Sequence, residues 1–215
     1  MTRLESTSTA ANLRSPAVEL ILIRHGLPVR IDDASGPADP ELSDAGRAQA
    51  GRLADWLGRD PIDAVYVSPM RRAIETAAPL ADALGVDPVV DEELAEFDRD
   101  AHFYVPLEEL KAAGDERYVK MLRGEYDGEV DPHTFREVVA VAVERIIEAH
   151  PSDTVAIVCH GGVINAWASH VLGLTDLLFF EPHYTSVNRF LASSRGHRSL
   201  VSLNDLGHLN GTRDP

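Results

Sequence analysis

Residues 20–26 read Leu-Ile-Leu-Ile-Arg-His-Gly, an apolar run ending in a cation, an imidazole and a glycine. Arg24 can hold a phosphate in its planar fork of donors. His25 can attack phosphorus, and Gly26 lets a ligand approach the backbone. A second apolar run, 154–159, ends in the same way at His160, followed by Gly161 and Gly162. Arg71 and Arg72 follow a third short run that ends at Ser68 and Pro69. Gathered in one crevice, two arginines, two histidines and a helix N-terminus near Gly161 would make an oxyanion site. A phosphoryl group in transfer has three equatorial oxygens to neutralise, and its catalysis is mostly positioning and charge stabilisation. The leaving alkoxide also needs a proton, so a carboxylic acid with a raised pKa should stand nearby. That acid must lie beyond the phosphate, because the arginines would lower its pKa.

For these groups to meet, neighbouring strands must carry them at their carboxyl ends. The β-branched, Leu-rich run 18–23 reads as a buried strand, with 64–67 and 154–159 as two more. Ser43 can cap a helix that runs to about Gly58, with Ala50, Leu53, Ala54 and Leu57 on one face. Pro69 opens a helix at its tolerated first position, and Gly85 stops it. Residues 134–149 predict an amphipathic helix with Phe135, Val138, Val139, Ala142 and Ile146 inward, ended by Pro151. Another helix follows His160 through about Leu172, and 187–192 with 199–203 read as a closing hairpin. Strands alternating with helices predict an α/β three-layer sandwich with a mostly parallel central sheet. Ligands bind such sheets at the carboxyl ends of the strands. Residues 97–132 are acidic and irregular, with Phe97, Phe103, Tyr104, Tyr118 and Tyr126. They read as a lid-like insertion with one or two helices over the site.

The 215 residues fit a single domain, 17–210, behind a disordered Ser/Thr/Ala-rich tail, 1–16. A formal net charge of −15 argues against nucleic acid and against anionic membrane surfaces. No apolar run approaches membrane-spanning length. In so acidic a chain, any phosphate site must be a local positive island. The single cysteine, Cys159, permits no intramolecular disulfide and points to a reducing, cytoplasmic setting. It reads as a small core residue. A cysteine phosphatase loop would end in arginine six positions on, where this chain has Asn165. There is no His-Glu-x-x-His and no zinc-spaced cysteine pair, so neither metal nor cofactor is expected. The apolar stretch 174–180 is a candidate homodimer contact or simply core.

The series Leu22-Ile23-Arg24-His25-Gly26, Leu42-Ser43-Asp44-Ala45-Gly46-Arg47-Ala48-Gln49-Ala50, Ser68-Pro69-Met70-Arg71-Arg72-Ala73-Ile74-Glu75-Thr76-Ala77, Leu94-Ala95-Glu96 and Val158-Cys159-His160-Gly161-Gly162-Val163-Ile164 resembles the histidine phosphatase superfamily, in its phosphoglycerate mutase-like branch. The motifs run in the family's order and cover roughly residues 18–205. The resemblance implies that His25 is the nucleophile and forms a phosphohistidine. Arg24, Arg72, His160 and the backbone at Gly161 would hold the phosphoryl oxygens. Glu96 would protonate the leaving group and then activate water, with no metal required. In the family's motif the arginine directly precedes alanine, which selects Arg72 over Arg71.

The chain also departs from that pattern. After Arg-His-Gly the family has Glu-Thr or Gln-Thr and then an asparagine, where this chain has Leu27, Pro28, Val29, Arg30 and Ile31. Mutases continue past the acid with a glycine and Trp-Glu-Gly, where this chain has Phe97-Asp98-Arg99-Asp100. Asp98 and Asp100 therefore stand as rivals to Glu96. The expected function is a metal-independent phosphomonoesterase acting on a small, soluble phosphorylated metabolite. A phosphoglycerate mutase is the alternative, and a non-catalytic phosphate-binding module the second.

Overall fold

The computed structural model describes residues 17–122 and 131–210. The expected tail, 1–16, and residues 123–130 of the insertion, Tyr126 among them, lie outside the described residues. Six strands form one sheet: β1 (Ala17–Arg24), β2 (Ala64–Val67), β3 (Val89–Val90), β4 (Thr154–Cys159), β5 (Val187–Ser193) and β6 (Arg198–Asp205). Their order is β3-β2-β4-β1-β5-β6. The first four are parallel, while β5 and β6 run antiparallel and close one edge. The helices are α1 (Asp44–Leu57), α2 (Arg71–Leu84), α3 (Leu107–Ala113), α4 (Glu116–Leu122), α5 (Pro132–Ala149) and α6 (Gly161–Leu172).

The central strands are apolar on both faces because each face is covered by helices. Leu20, Leu22, Val155, Ile157 and Cys159 turn toward α5 and α6 and meet Val139, Ile146, Val163 and Trp167. Ile21, Ile23, Ala156 and Val158 turn to the other side and meet Leu53 and Leu57 of α1 and Ala73 and Leu80 of α2. Each buried Val, Leu or Ile among them contributes roughly 1.5–3 kcal/mol. Two cores thus clamp β1 and β4 side by side, in register from Glu19 opposite Thr154 to Arg24 opposite Cys159. The two strands deliver their last residues to the same edge.

Local signals set the helix starts. The Ser43 hydroxyl accepts from the Gly46 N–H at 3.1 Å and caps α1. Asp131 accepts from the Thr134 N–H at 2.8 Å and caps α5, with Pro132 at its first position. Two expectations need correction. Helix α2 begins at Arg71 with Met70 as its cap, so Pro69 lies outside it. The Ser68 hydroxyl accepts from the Met70 N–H at 3.3 Å, and this side-chain turn takes the place of the first helical turn. Val138 is 40% exposed, and Val143 and Ile147 complete the buried stripe of α5 instead. In the stretch 174–180, Leu177 is buried and Leu178, Phe179 and Phe180 lie against the α5–α6 core, which favours the core reading. Among the described residues no helix is long and apolar enough to cross a membrane.

Candidate active site

The site lies where β1, β2 and β4 end. The His25 Nδ1 faces its neighbour's carbonyl, Gly26 O, at 2.8 Å. Donating there fixes the proton on Nδ1 and leaves the Nε2 lone pair bare. The ring is 3% exposed. Burial, then Arg72 and Arg24, push its pKa well below the ordinary histidine value, so it stays a neutral nucleophile. The His160 ring stands 5.1 Å away, centroid to centroid. Its Nε2 meets the Ser68 hydroxyl at 2.7 Å. With the Ser68 proton directed to Nε2, His160 carries its own proton on Nδ1, from which it can donate. His160 is likewise held neutral, first by burial and then by Arg72, His25 and Arg24.

Two buried arginines flank the histidines. Arg24 donates from Nη1 to the Pro182 carbonyl at 2.5 Å, and its guanidinium lies 3.9 Å over the Tyr184 ring. Arg72 donates from Nη2 to Asp98 at 2.8 Å and lies 4.8 Å over the Tyr104 ring. Burial opposes both charges, but for Arg24 the neighbours Tyr184, Tyr104, Glu108 and Glu96 outweigh it. For Arg72 the main counterweight is Asp98. Arg24 Nε, Arg72 Nε and Nη1 and His160 Nδ1 are buried without a hydrogen-bond partner. Donors in this state are costly unless something accepts from them. Four orphaned donors beside a bare imidazole nitrogen suit the oxygens of a phosphoryl group.

Glu96 is 7% exposed. Its Oε2 accepts from the Gly162 N–H at 2.7 Å, and its Oε1 from the Phe97 N–H at 3.0 Å. The two amides and Arg72 favour the carboxylate, but burial first and Asp98 second prevail, and the pKa rises to about 7. Gly162 is what lets this carboxyl dock on the N-terminus of α6. A Cβ there would lie 2.2 Å from Glu96 Oε1. One amide of the expected anion site is therefore already engaged. Gly161 stays open, with Arg24 Nε 3.9 Å from where its Cβ would be. Of the rivals to Glu96, Asp98 stands at the site as the partner of Arg72, and Asp100 is exposed.

The segment after His25 is held from α1 and α2. Gly26 N–H donates to the Thr76 hydroxyl at 2.9 Å, and Leu27 N–H to Gln49 Oε1 at 2.9 Å. The Ser43 hydroxyl donates to the Leu27 carbonyl at 2.8 Å. Gly26 corrects an expectation. A Cβ there would lie 2.7 Å from the Gly46 carbonyl, so this glycine admits the α1 backbone and not a ligand. Pro28 bridges Leu42, and Val29 N–H donates to the Glu41 carbonyl at 2.9 Å, closing the neck of the following loop. On the far side the Thr185 N–H reaches the carbonyls of Arg24 and His25 at 3.1 and 3.3 Å. Its φ of 55° lies in the region that disfavours a β-branched residue, a strain placed beside the site.

Over this floor stands the insertion. Ile31 and Tyr104 form an antiparallel bridge, which brings the Tyr104 ring to Arg72. Helix α3 brings Glu108 within 3.6 Å of Arg24 Nη1. Arg71 points outward to Glu75 and Glu41, Arg30 pairs with Asp32 and Glu109, and Arg99 pairs with Glu92. None of these three enters the site. Ser68, which opens the Ser-Pro-Met-Arg-Arg motif, carried no expected role. Tyr104 was visible only as one of several aromatics, and nothing in the local pattern singled out Tyr184 or Glu108.

Residues 20–206 match the description "Histidine phosphatase superfamily (branch 1)". Phosphoserine phosphatase 1 of Hydrogenobacter thermophilus is 27% identical over 163 residues, which are 73% of this chain and 77% of that protein. A bifunctional protein of Mycobacterium tuberculosis is 33% identical over 207 residues, 91% of this chain but only 56% of that longer protein. The crystal structure of a phosphoserine phosphatase from Entamoeba histolytica in complex with 3-phosphoglyceric acid superposes with a TM-score of 0.71 at 26% identity, covering 89% of this chain and 99% of that one.

Proposed function

The chain belongs to the histidine phosphatase superfamily, and from that premise we propose that it hydrolyses small soluble phosphomonoesters through a phosphohistidine on His25. The observation that carries this reading is the neutral His25 with Nε2 bare, set among Arg24, Arg72 and His160 with their unpaired donors. In the first step Nε2 attacks phosphorus and the bond to the alcohol oxygen breaks. The Glu96 carboxyl gives its proton to that oxygen. Arg24, Arg72 and His160 Nδ1–H hold the three equatorial oxygens, where charge builds up. In the second step the Glu96 carboxylate takes a proton from water as its oxygen attacks phosphorus. The P–N bond breaks, and inorganic phosphate leaves with His25 restored. A carboxyl titrating at about 7 can give and then retake a proton near neutral pH. No step calls on a metal. The proposed compartment is the cytoplasm, consistent with the buried thiol of Cys159.

The test is hydrolysis of p-nitrophenyl phosphate in EDTA. The wild type should turn over, and His25→Ala should lose at least roughly 10⁴-fold in kcat. Full activity in His25→Ala would overturn the mechanism. Interconversion of 2- and 3-phosphoglycerate faster than phosphate release would make the chain a mutase. Phosphate binding with no turnover would make it a binding module.

A further inference from the structure

Glu108 is a carboxylate with no settled partner beside a site built for dianions. It sits in the first turn of α3 with its side chain 36% exposed. Its Oε1 stands 3.6 Å from Arg24 Nη1, beyond hydrogen-bond length, and that nitrogen already donates to Pro182 O. Its Oε2 is buried with no hydrogen-bond partner. Nearby, the Tyr184 hydroxyl is also buried, in a residue only 5% exposed, and interacts with the Tyr104 side chain. Both Tyr184 and Arg24 feel the Glu108 charge. The other charged residues of α3 are matched elsewhere: Glu109 with Arg30 at 2.8 Å, and Lys111 with Glu181 at 2.9 Å.

A bound phosphate changes the balance around Glu108. It takes up Arg24, the cation that faces Glu108, and brings a dianion close to a carboxylate. Like charges at such range repel, more so in a half-buried site. A substrate whose alcohol portion carries its own cation turns that repulsion into a charge-assisted hydrogen bond. A hydroxyl in the same place donates more weakly, and a lone carboxylate there would be opposed.

Resting on the phosphatase reading above, we propose that Glu108 is a specificity-determining residue selecting phosphomonoesters of amino alcohols, whose ammonium group it binds with help from the Tyr184 hydroxyl. The substrate class is set by the lid, and the floor is indifferent to it. Two substrate pairs isolate the ammonium. Phosphoethanolamine and 2-hydroxyethyl phosphate differ only by ammonium against hydroxyl, and so do phosphoserine and 3-phosphoglycerate at one carbon. p-Nitrophenyl phosphate, which has neither group, reads the chemical step alone.

The wild type should favour the ammonium member of each pair by about tenfold or more in kcat/KM. Glu108→Gln should bring each ratio near one while changing p-nitrophenyl phosphate turnover by less than about threefold. Equal or reversed wild-type preference would overturn the proposal. So would a uniform loss on all five substrates in Glu108→Gln, which would make Glu108 only a prop for Arg24. If the wild type hydrolyses nothing, the phosphatase reading fails separately. Calorimetric binding of the same pairs to the wild type and to Glu108→Gln then decides this proposal without turnover.

Discussion

The floor of the site and its lid use the same residue types to opposite ends. On the floor, Arg24, His25, Arg72 and His160 are each under one-tenth exposed, and several of their donors have no partner. On the lid and the loop paired with it, Lys111 and Arg30 are about half exposed at 54% and 48%, and each is matched to a carboxylate. Away from water a charge or a missing hydrogen bond counts for several times what it does at the surface. The floor therefore holds unsatisfied potential that a phosphoryl group can discharge, and it governs the chemical step. The lid's exposed pairs are weak and salt-sensitive, which suits a part that docks and releases.

The sharpest challenge to this division is Glu96→Gln. It should lower kcat on alkyl phosphates by roughly 10²–10⁴-fold, the usual contribution of a general acid. The p-nitrophenol burst, which reads phosphorylation of His25 alone, should suffer far less because that leaving group needs no proton, while hydrolysis of the phosphohistidine, where Glu96 is the base, should slow for both substrate classes. The pH profile carries the sign. Glu96 must be protonated to donate in the first step, so wild-type kcat/KM on alkyl phosphates, which reads the free enzyme and that step, should fall as pH rises through about 7. His25 has its pKa lowered and stays neutral, so it adds no limb near the ordinary histidine value. The Gln variant should lose the fall above 7. Equal damage to the phosphorylation step with aryl and alkyl substrates would show that Glu96 only shapes the floor.

A smaller effect is expected of Gly162→Ala. The new methyl would stand 2.2 Å from Glu96 Oε1 and 2.8 Å from the Phe97 ring. Thermal denaturation should show a loss of about 1–3 kcal/mol, typical of overpacking. The kcat on alkyl phosphates should drop while KM moves little, since the acid is displaced and the arginines are not. The smallest effect is expected of Lys111→Met, which removes the exposed pair with Glu181 at 2.9 Å. Thermal denaturation should show no resolvable change, and high salt should erase any difference in KM. A large change there would place the lid among the groups that set the chemistry.

The division also explains what the sequence made legible. β4 and α6 follow the expected boundaries because a doubly buried strand and a helix after a glycine pair each leave a strong local pattern. Arg24, His25, His160 and Glu96 end or follow such elements, and the structure gathers them at one edge. Arg72 needed the motif, since pattern alone does not separate it from Arg71. Tyr184 and Glu108 were invisible because nothing periodic surrounds them. They reach the site through tertiary placement, Glu108 from a seven-residue helix and Tyr184 from a turn held by Thr185. Gly26 misled because its need for close approach was real while its neighbour, the Gly46 carbonyl, lies 20 residues on. Pro69 misled because the Ser68 side chain outcompeted the first helical turn.

The closed neck after His25 has a consequence for changing this protein. Leu27 is bonded to Gln49 and Ser43, Pro28 is bridged to Leu42, and Val29 is bonded to Glu41, so residues 30–40 start and finish at nearly the same place. The nucleophile is secured below that junction and does not depend on what the junction encloses. Ile31 and Ala38 are tied to Tyr104 and Ala101, but the tip around residues 35–37 can be lengthened at little thermodynamic penalty, because the entropy of closing a loop grows only slowly with its length. It is a socket: new contacts can be grafted there while the reacting imidazole keeps its place.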